Sequence, residues 1–340
     1  MPTVNILGPC AAESEEQTMR IARRLATALS GRKFIFRAGI WKPRTAPETF
    51  QGVGDIGLQW LLRVRNELQI PVATEVSTPG QVSLALDAGI DYIWLGARTT
   101  ANPILVQALA DAVAAYADSE NCRQVTLLVK NPVNEDADLW LGNLRRLSNA
   151  IDKSTHNIRL MAIHRGCNHR PCWEMAYRLR QKMPDIPLLL DPSHMSGNAD
   201  KVPLLCSIAN ELAYDGLMIE IHDRPQEALS DAKQQIAPET VADILQSMTS
   251  ATESPTDLTW LRRMMDEVDD DLWEMIAKRM KVSRQIGDYK RANDIEVIQP
   301  SRFDEILQRR LRWASGQNIS ADTVQAVMTA LHEESIRVQK

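Results

Sequence analysis

The chain has 340 residues, of which 44% are hydrophobic and 24% are charged, and its formal net charge is -5. This composition is typical of a folded globular protein, and the length favours one large domain of about 250 residues followed by a small one. The acidic balance argues against a nucleic-acid partner, but it is compatible with a local basic pocket for anionic substrates.

The amino-terminal segment, MPTVNILGPCAAESEE, lacks the basic and apolar regions of a signal peptide. No later stretch reaches the roughly 18 apolar residues of a membrane span. The five cysteines are an odd number without framework spacing, which is typical of reduced thiols. We therefore expect a cytoplasmic protein without a membrane partner.

Short apolar, β-branched runs alternate with helical patterns over roughly 250 residues. The predicted strands lie near residues 4–7, 33–37, 72–75, 92–95, 125–129, 158–162, 187–190 and 216–220. Eight strands that alternate with helices predict an α/β fold of the (β/α)8 barrel type, with a doubly wound open sheet as the rival.

A small, polar segment, SMTSATESPTD at 247–257, separates the barrel pattern from a second region. We expect a domain boundary near residue 255, with a barrel domain at 1–250 and an all-α domain at 258–340. The second domain is predicted to hold three helices, one from Leu258 to about Asn293 and two shorter ones at 301–313 and 320–339.

The long predicted helix carries a heptad of apolar residues that Arg279 interrupts. Its two tracks are Leu258, Met265, Leu272, Arg279 and Ile286, and Leu261, Val268, Met275, Val282 and Tyr289. Because the two shorter helices are too small to cover this stripe, we expect a second copy of the chain to cover it. The all-α domain is therefore predicted to form a dimeric bundle.

Charged and coordinating residues follow nearly every predicted strand, at the end where a (β/α)8 barrel builds its active site. One set offers a thiolate, an imidazole and two carboxylates, namely Cys10, His194, Glu220 and Asp231. This mixed set suits one divalent ion, Zn, Mn, Fe or Co, acting as a Lewis acid. Any one of the four taken alone is more typical of simple packing than of a metal ligand.

A second set consists of cations, Arg37, Lys42, Arg44, Arg98, Lys130 and Arg165. Each alone is typical of a solvated surface. Six cations over one barrel mouth would repel one another unless the ligands bring several negative charges, as two phosphorylated substrates would.

One competing pattern is His164-x2-Cys167-x-His169-x2-Cys172, which offers four zinc-ligating side chains. Its spacings are tighter than those of structural zinc sites, which draw on two separated pairs of ligands. The sequence has no P-loop and no GxGxxG motif, so nucleotide binding has no support.

Seven motifs, in the expected order over about residues 1–245, resemble 3-deoxy-D-arabino-heptulosonate 7-phosphate (DAHP) synthase of the type Iβ subgroup. They are LGPCAAES, RAGIWKPRTAPETFQG, TEV, GARTT, IHRGCN, DPSHMSGN and DGLMIEIHDRPQEALSD. The resemblance implies condensation of phosphoenolpyruvate with erythrose 4-phosphate and release of phosphate. It also implies that Cys10, His194, Glu220 and Asp231 bind the metal ion.

The same resemblance assigns the substrate contacts. It implies that phosphoenolpyruvate binds to Arg37, Lys42, Arg98, Lys130 and Arg165, and that erythrose 4-phosphate binds to Lys42, Pro43, Arg44 and Thr45. Lys42 is the expected catalytic residue. The related 3-deoxy-D-manno-octulosonate 8-phosphate synthase is the alternative, and the KPRT sequence at 42–45 argues against it. The chain starts almost at the first predicted strand, so we expect no amino-terminal regulatory extension.

Residues 258–340 resemble the all-helical chorismate mutase family, at Arg262, Arg279, Lys290, Arg302, Ser335 and Gln339. The resemblance implies rearrangement of chorismate to prephenate without a metal or other cofactor in this domain. Arg279 and Arg262 of the partner subunit would bind the carboxylates, and Lys290 and Gln339 would face the ether oxygen. Arg302 and Ser335 would complete the pocket.

The residues themselves support part of this assignment. Arg279, Ser283, Ile286 and Lys290 share one face of the long helix. A purely structural alternative pairs Arg279 with Asp269 or Glu305. Gln299 and Phe303 stand where the family often has acidic residues that contact the substrate hydroxyl, which leaves the efficiency of the mutase open.

Three functions for the helical domain follow: a second enzyme, a sensor of chorismate or prephenate, or a dimerisation module. The presence of both Lys290 and Gln339 favours catalysis, because a sensor gains little from groups aimed at a breaking bond. We also expect allosteric control, in which a ligand of the helical domain changes the rate of the barrel domain.

Overall fold

The computed structural model describes residues 3–43, 46, 48–151, 158–248, 255–298 and 300–339. The chain divides into two compact units, Met1–Met264 and Met265–Lys340. Among the described residues, no helix combines the length and the apolar character needed to cross a membrane.

Eight parallel strands of the first unit close into a barrel in chain order. They are β1 Val4–Gly8, β2 Ile35–Arg37, β3 Val72–Val76, β4 Tyr92–Leu95, β5 Thr126–Lys130, β6 Arg159–His164, β7 Leu188–Leu190 and β8 Gly216–Glu220. β1 pairs with β8 along its whole length, with Gly8 opposite Glu220. This closure confirms the predicted (β/α)8 barrel, because a doubly wound sheet would leave two open edges.

Helices cover the outside of the barrel between the strands. They are α1 Glu15–Ala28, α2 Ile56–Leu68, α3 Pro79–Ala88, α4 Pro103–Ala117, α5 Ala137–Ile151, α6 Trp173–Lys182, α7 Pro192–Ser196, α8 Val202–Glu211 and α9 Pro238–Ser247, with 3-10 turns at Ala199–Lys201, Pro225–Glu227 and Ala232–Gln234. Local sequence sets several of these starts. Ser14 caps α1, while Thr78 and Asn102 cap α3 and α4, each directly before a proline at the first helical position.

Two apolar layers hold the barrel together. One residue from each strand fills the interior: Ile6, Ile35, Ala73, Trp94, Leu128, Ile163, Leu189 and Met218. The alternate residues, such as Leu7, Phe36 and Val129, pack outward against the helices. Because both faces of each strand are buried, the strands read in sequence as continuous apolar runs.

Three helices follow the barrel, α10 Asp257–Ala292, α11 Pro300–Ser315 and α12 Ala321–Gln339. This agrees with the predicted all-α region to within a few residues. In the second unit α10 and α12 approach closely at Gly287, where an added Cβ would lie 2.8 Å from the Cα of Gln339.

The division between the two units falls after Met264, inside α10, rather than near residue 255. The reason is Trp260, a buried residue in the first turns of α10. Its ring lies 5.9 Å from that of Tyr214 and 6.3 Å from that of Tyr177, so the start of the helix packs with the barrel residues of the first unit.

Candidate active site

Three potential metal ligands meet at the carboxyl end of the barrel. Cys10 follows β1, Glu220 ends β8 and Asp231 lies in the loop after β8, and their ligand atoms all lie within 4.8 Å of one another. The Sγ of Cys10 lies 3.0 Å from Oδ2 of Asp231. The pairing of β1 with β8 produces this cluster from residues that are far apart in the sequence.

His194 stands at the edge of this group. Its Nε2 lies 3.5 Å from Oε1 of Glu220, and its Nδ1 lies 2.9 Å from Oδ2 of Asp191. The four predicted donors therefore converge, although His194 is not within the 4.8 Å cluster. A thiol, an imidazole and two carboxylates fit a borderline divalent cation better than they fit Mg²⁺ or Ca²⁺.

Burial controls the ionisation of these donors. Burial raises the pKa of the Cys10 thiol above its ordinary value, Glu220 adds to the rise, and Lys42 offsets only part of it. Burial also acts to raise the pKa of Glu220, but His194 and Arg37 outweigh it and the pKa lies below its usual range. The site thus holds an ionised carboxylate and a thiol that must release its proton when a cation binds.

The predicted cations surround one cavity of about 370 Å³. Its lining includes Arg37, Lys42, Pro43, Arg98, Lys130 and Arg165, together with His194 and Asp231. Two of the predicted substrate contacts, Arg44 and Thr45, lie outside the described residues. The structure therefore brings the five described cations and two of the metal candidates, His194 and Asp231, to a single cavity.

Arg37 is fully enclosed at the base of the cavity. Its Nη2 donates to Oε1 of Glu220 at 3.1 Å. Its guanidinium lies 4.7 Å above the ring of Trp94, one of the residues that fill the barrel interior. Its Nε and Nη1, like Nε of Arg165, have no hydrogen-bond partner among the described residues. Buried donors of this kind are satisfied by a ligand or water, and here their charge favours an anion.

Lys42 is buried between three acceptors. Its Nζ lies 3.1 Å from the carbonyl oxygen of Cys10, 3.3 Å from Sγ of Cys10 and 3.5 Å from Oε2 of Glu75. Burial acts to lower the pKa of Lys42, but Cys10, Glu75 and Glu220 outweigh it and raise the pKa. Lys42 therefore stays a charged donor next to the potential metal ligands.

Several supporting residues have no distinctive signal in the sequence. Gln234 donates to Oε2 of Glu220 at 2.8 Å, and the side chain of Gln235 accepts from the backbone N–H of Cys10 at 3.1 Å. Gly96 leaves room for Glu75, because a Cβ there would lie 2.0 Å from Oε1 of Glu75. An adjacent pair of glutamines in a loop predicts nothing by itself, so sequence reasoning missed both.

The competing quartet of His164, Cys167, His169 and Cys172 does not gather as a metal site within the described residues. His164 instead bonds to the hydroxyl of Tyr214 at 2.8 Å, and Sγ of Cys167 donates to Sδ of Met175 at 3.3 Å. Burial lowers the pKa of His164 to about 3. His164 is therefore a neutral core residue under physiological conditions.

A second candidate site lies between α10 and α12 of the helical unit. Nη1 of Arg279 donates to the carbonyl oxygen of Leu331 at 2.8 Å and to the hydroxyl of Ser335, which also accepts from Ser283. Arg279 has no carboxylate partner among the described residues. The alternative pairing with Asp269 or Glu305 is therefore not found, and Glu305 pairs with Arg302 at 2.5 Å.

The other residues predicted for this second site range from buried to exposed. Gln339 is buried, and its Oε1 has no partner among the described residues. Nζ of Lys290 donates to the carbonyl oxygen of Val297 at 2.8 Å, and Arg302 is exposed on α11. Arg262 is exposed on the part of α10 that belongs to the first unit.

Phe303 and Gln299 are the two residues that depart from the pattern of the chorismate mutase family. Phe303 stacks on His332 with ring centroids 4.2 Å apart. Gln299 lies outside the described residues.

Comparison with known proteins matches both regions. The model of the DAHP synthetase I family matches residues 1–115 and 152–254, and the model of chorismate mutase type II matches residues 261–340. A phospho-2-dehydro-3-deoxyheptonate aldolase of Thermotoga maritima is 29% identical over 252 residues, which cover 72% of this chain and 68% of that protein. A 2-dehydro-3-deoxyphosphooctonate aldolase of Desulfatibacillum aliphaticivorans is 28% identical over 269 residues, 72% of this chain and 90% of that one.

A solved structure supports the same relationship. The crystal structure of a phospho-2-dehydro-3-deoxyheptonate aldolase (DAHP synthase) from Thermotoga maritima superposes with a TM-score of 0.60 at 25% identity, covering 72% of this chain and 67% of that one. The family match spans more than half of the chain, and the second match covers nearly all of the helical tail. The chain belongs to the DAHP synthetase I family and carries a chorismate mutase type II domain after its barrel.

Proposed function

We propose that the barrel condenses phosphoenolpyruvate with erythrose 4-phosphate to give DAHP and inorganic phosphate. The observation that carries this proposal is one cavity lined by five cations beside a cluster of metal-ligating side chains. Two phosphorylated substrates supply the negative charge that such a cavity requires. We assign this activity to a domain at residues 1–250 and the second activity to a domain at 258–340.

The cations have separate roles in this proposal. Arg37, Lys42, Lys130 and Arg165, with Arg98 at the rim, bind phosphoenolpyruvate. The stretch from Lys42 to Thr45 binds erythrose 4-phosphate. Cys10, His194, Glu220 and Asp231 would hold one divalent ion, Mn, Co, Zn or Fe, which supplies Lewis-acid polarisation of a carbonyl when bound. The unpaired Nε and Nη1 of Arg37 support its assignment to an anionic substrate.

In the condensation, Lys42 donates to the aldehyde oxygen of erythrose 4-phosphate while C3 of phosphoenolpyruvate attacks the aldehyde carbon. Water adds at C2, and cleavage of the bond between C2 and the ester oxygen, with loss of the hydroxyl proton, releases inorganic phosphate and leaves the C2 ketone. The fixed cations stabilise the charge that develops, and they hold the two substrates at reacting distance.

Removal of divalent metal should abolish the condensation. We expect the purified protein treated with EDTA to lose at least about 100-fold in DAHP formation, because Lewis-acid stabilisation contributes several kcal/mol. Addition of Mn²⁺ or Co²⁺ should restore the rate. Chorismate consumption by the same sample is the internal control and should not change.

The same assay tests the alternative synthase activity. The relatives named 2-dehydro-3-deoxyphosphooctonate aldolase are the reason to test it. Arabinose 5-phosphate in place of erythrose 4-phosphate should give little product. A faster reaction with arabinose 5-phosphate, or a full rate after chelation, would contradict the proposal.

For the helical domain we propose rearrangement of chorismate to prephenate. The reaction needs a compact conformer of the substrate and positive charge near the breaking ether bond, but no metal. Arg279 lacks a carboxylate partner among the described residues, and Oε1 of the buried Gln339 lacks any partner there, which supports a ligand between them. Lys290 and Gln339 face the ether oxygen, and Arg302 and Ser335 of the same chain complete the pocket. Arg279 and the partner subunit's Arg262 bind the carboxylates.

We further propose that the domain acts as a homodimer. The predicted stripe on α10 remains exposed in the single chain, at Met265, Val268, Leu272, Met275, Val282, Ile286 and Tyr289. An apolar surface of this length needs a partner, and a second copy supplies a matching stripe together with Arg262.

Disruption of this stripe should give monomers. We expect the protein to sediment as a dimer and the Leu272→Glu variant to sediment as a monomer with reduced mutase activity. The matched control is Leu204→Glu, because Leu204 is also an exposed leucine, at 63% against 53% for Leu272, but lies on α8 of the barrel. Equal effects of the two substitutions, or a monomeric parent protein, would contradict the proposal.

A further inference from the structure

The carboxylate of Asp191 lies between one residue of the candidate metal site and one residue of the candidate phosphoenolpyruvate site. Its Oδ2 accepts a hydrogen bond from Nζ of Lys130 at 2.7 Å and lies 2.9 Å from Nδ1 of His194. Asp191 and Lys130 are both buried, while His194 and Lys130 line the cavity. One carboxylate thus contacts a candidate metal ligand and a candidate phosphoenolpyruvate ligand at once.

The backbone holds this carboxylate in place. Asp191 caps the short helix α7, since its Oδ1 accepts from the backbone N–H of His194 at 3.0 Å. Its own N–H donates to the carbonyl oxygen of His164, at the end of β6, at 2.8 Å. The backbone of Asp191 is therefore held by a hydrogen bond to β6, and its side chain is held by a hydrogen bond to the first turn of α7.

The carboxylate of Asp191 is buried between two nitrogen partners, and the Lys130 ammonium at 2.7 Å is the opposite charge beside it. An ionised carboxylate accepts from the Nδ1–H of His194, and this tautomer leaves the lone pair of Nε2 free for a cation. Nε2 is the ring nitrogen on the side of Glu220, 3.5 Å from its Oε1.

We propose that Asp191 is a positioning residue that sets both the metal-binding tautomer of His194 and the position of the Lys130 ammonium. This inference rests on the proposed function of the barrel. Its two effects run through different neighbours, so they are separable by mutation. Loss of the Asp191 charge should weaken metal binding through His194 and phosphoenolpyruvate binding through Lys130.

The experiment measures binding rather than turnover. Asp191→Asn keeps the size of the side chain and removes its charge. In metal-free protein titrated with Mn²⁺, with free Mn²⁺ followed by electron paramagnetic resonance, we expect affinity to fall roughly 10- to 100-fold. Calorimetric titration of the same metal-free protein with phosphoenolpyruvate should show a fall of roughly tenfold, as for a lost charge-assisted hydrogen bond.

Two double variants, each compared with its own single-variant background, separate the two effects. In a Lys130→Met background, Asp191→Asn should weaken Mn²⁺ binding but should cause no further loss of phosphoenolpyruvate affinity. In a His194→Ala background it should weaken phosphoenolpyruvate binding but should cause no further loss of Mn²⁺ affinity. Such non-additivity within each pair is the signature of residues that act through one another.

The outcomes are distinct. If the parent protein binds neither Mn²⁺ nor phosphoenolpyruvate, the proposed function itself fails. If it binds both and Asp191→Asn leaves both affinities within about twofold, or if its effects are fully additive with both backgrounds, the inference about Asp191 is wrong and the proposed function stands. Should Asp191→Asn not fold, Asp191→Glu takes its place, because the longer side chain moves the carboxylate relative to Nδ1 of His194 and Nζ of Lys130; unchanged affinities for both Mn²⁺ and phosphoenolpyruvate would overturn the inference.

Discussion

Arg279→Ala is expected to lower chorismate consumption by roughly 100- to 1000-fold, the range for removing one fixed donor from a developing negative charge. Arg279 is held by the carbonyl oxygen of Leu331 and by Ser335, and it has no carboxylate to neutralise it among the described residues. We therefore propose that this partly buried guanidinium binds an anionic ligand. Burial lowers the pKa of Arg279, but a guanidinium remains charged at neutral pH.

The control is Arg284→Ala, which removes an exposed arginine from the same helix and should leave chorismate consumption nearly unchanged. Helical content by circular dichroism should be the same in both variants. Equal losses in the two variants would show that the total positive charge of the helix, and not Arg279 in particular, supports the reaction. If the parent protein binds prephenate but consumes no chorismate, the domain is a sensor, and if it does neither, it is a dimerisation module.

Arg279→Ala also tests the expected allosteric control. We propose that prephenate bound to the helical domain changes the rate of DAHP formation by the same chain. In the parent protein the rate should then differ with and without prephenate, and in Arg279→Ala the difference should disappear. Equal synthase rates in the parent protein with and without prephenate would contradict this proposal.

Arg37→Ala is expected to cost the synthase roughly 1000-fold in rate and to destabilise the barrel by about 3–5 kcal/mol. The two losses have different causes. The rate falls because the buried donors of Arg37 no longer bind the anionic substrate. The stability falls because Glu220 stays buried and ionised without the partner that lies 3.1 Å away.

Arg37→Lys separates these causes. Lysine keeps the charge near Glu220 but cannot present several donors in one plane, so stability should recover while phosphoenolpyruvate affinity should not. Urea unfolding of the barrel and calorimetric titration with phosphoenolpyruvate measure the two effects. Full recovery of both in Arg37→Lys would show that Arg37 acts only as a counter-ion of Glu220.

Much of the architecture was predictable from local patterns. Fully buried parallel strands appear as continuous apolar runs, so eight runs separated by helical patterns predicted the barrel that the structure confirms. The absence of proline from 258 to 293 predicted one long helix, and α10 covers Asp257–Ala292. Local sequence was sufficient here because periodicity and proline act over a few residues.

The supporting contacts of the site were not predictable. Gln234 and Gln235 are adjacent residues, yet one donates to Glu220 and the other accepts from Cys10, more than 200 residues away in the sequence. Trp260 lies within the helical domain predicted at 258–340, but its ring packs with Tyr177 and Tyr214. The first compact unit accordingly extends to Met264, inside α10.

The sequence by itself determined the barrel, the long helix with its apolar stripe, and the residue types that point to phosphate and metal chemistry. Only the tertiary structure decided which of those residues meet. It placed Sγ of Cys10 3.0 Å from Asp231, and within the described part of the chain it gathered no metal site from His164, Cys167, His169 and Cys172. It also showed that Asp191 contacts both Lys130 and His194. The physical reason is that propensity and periodicity are local, whereas these contacts depend on barrel closure and on side-chain packing between strands distant in sequence.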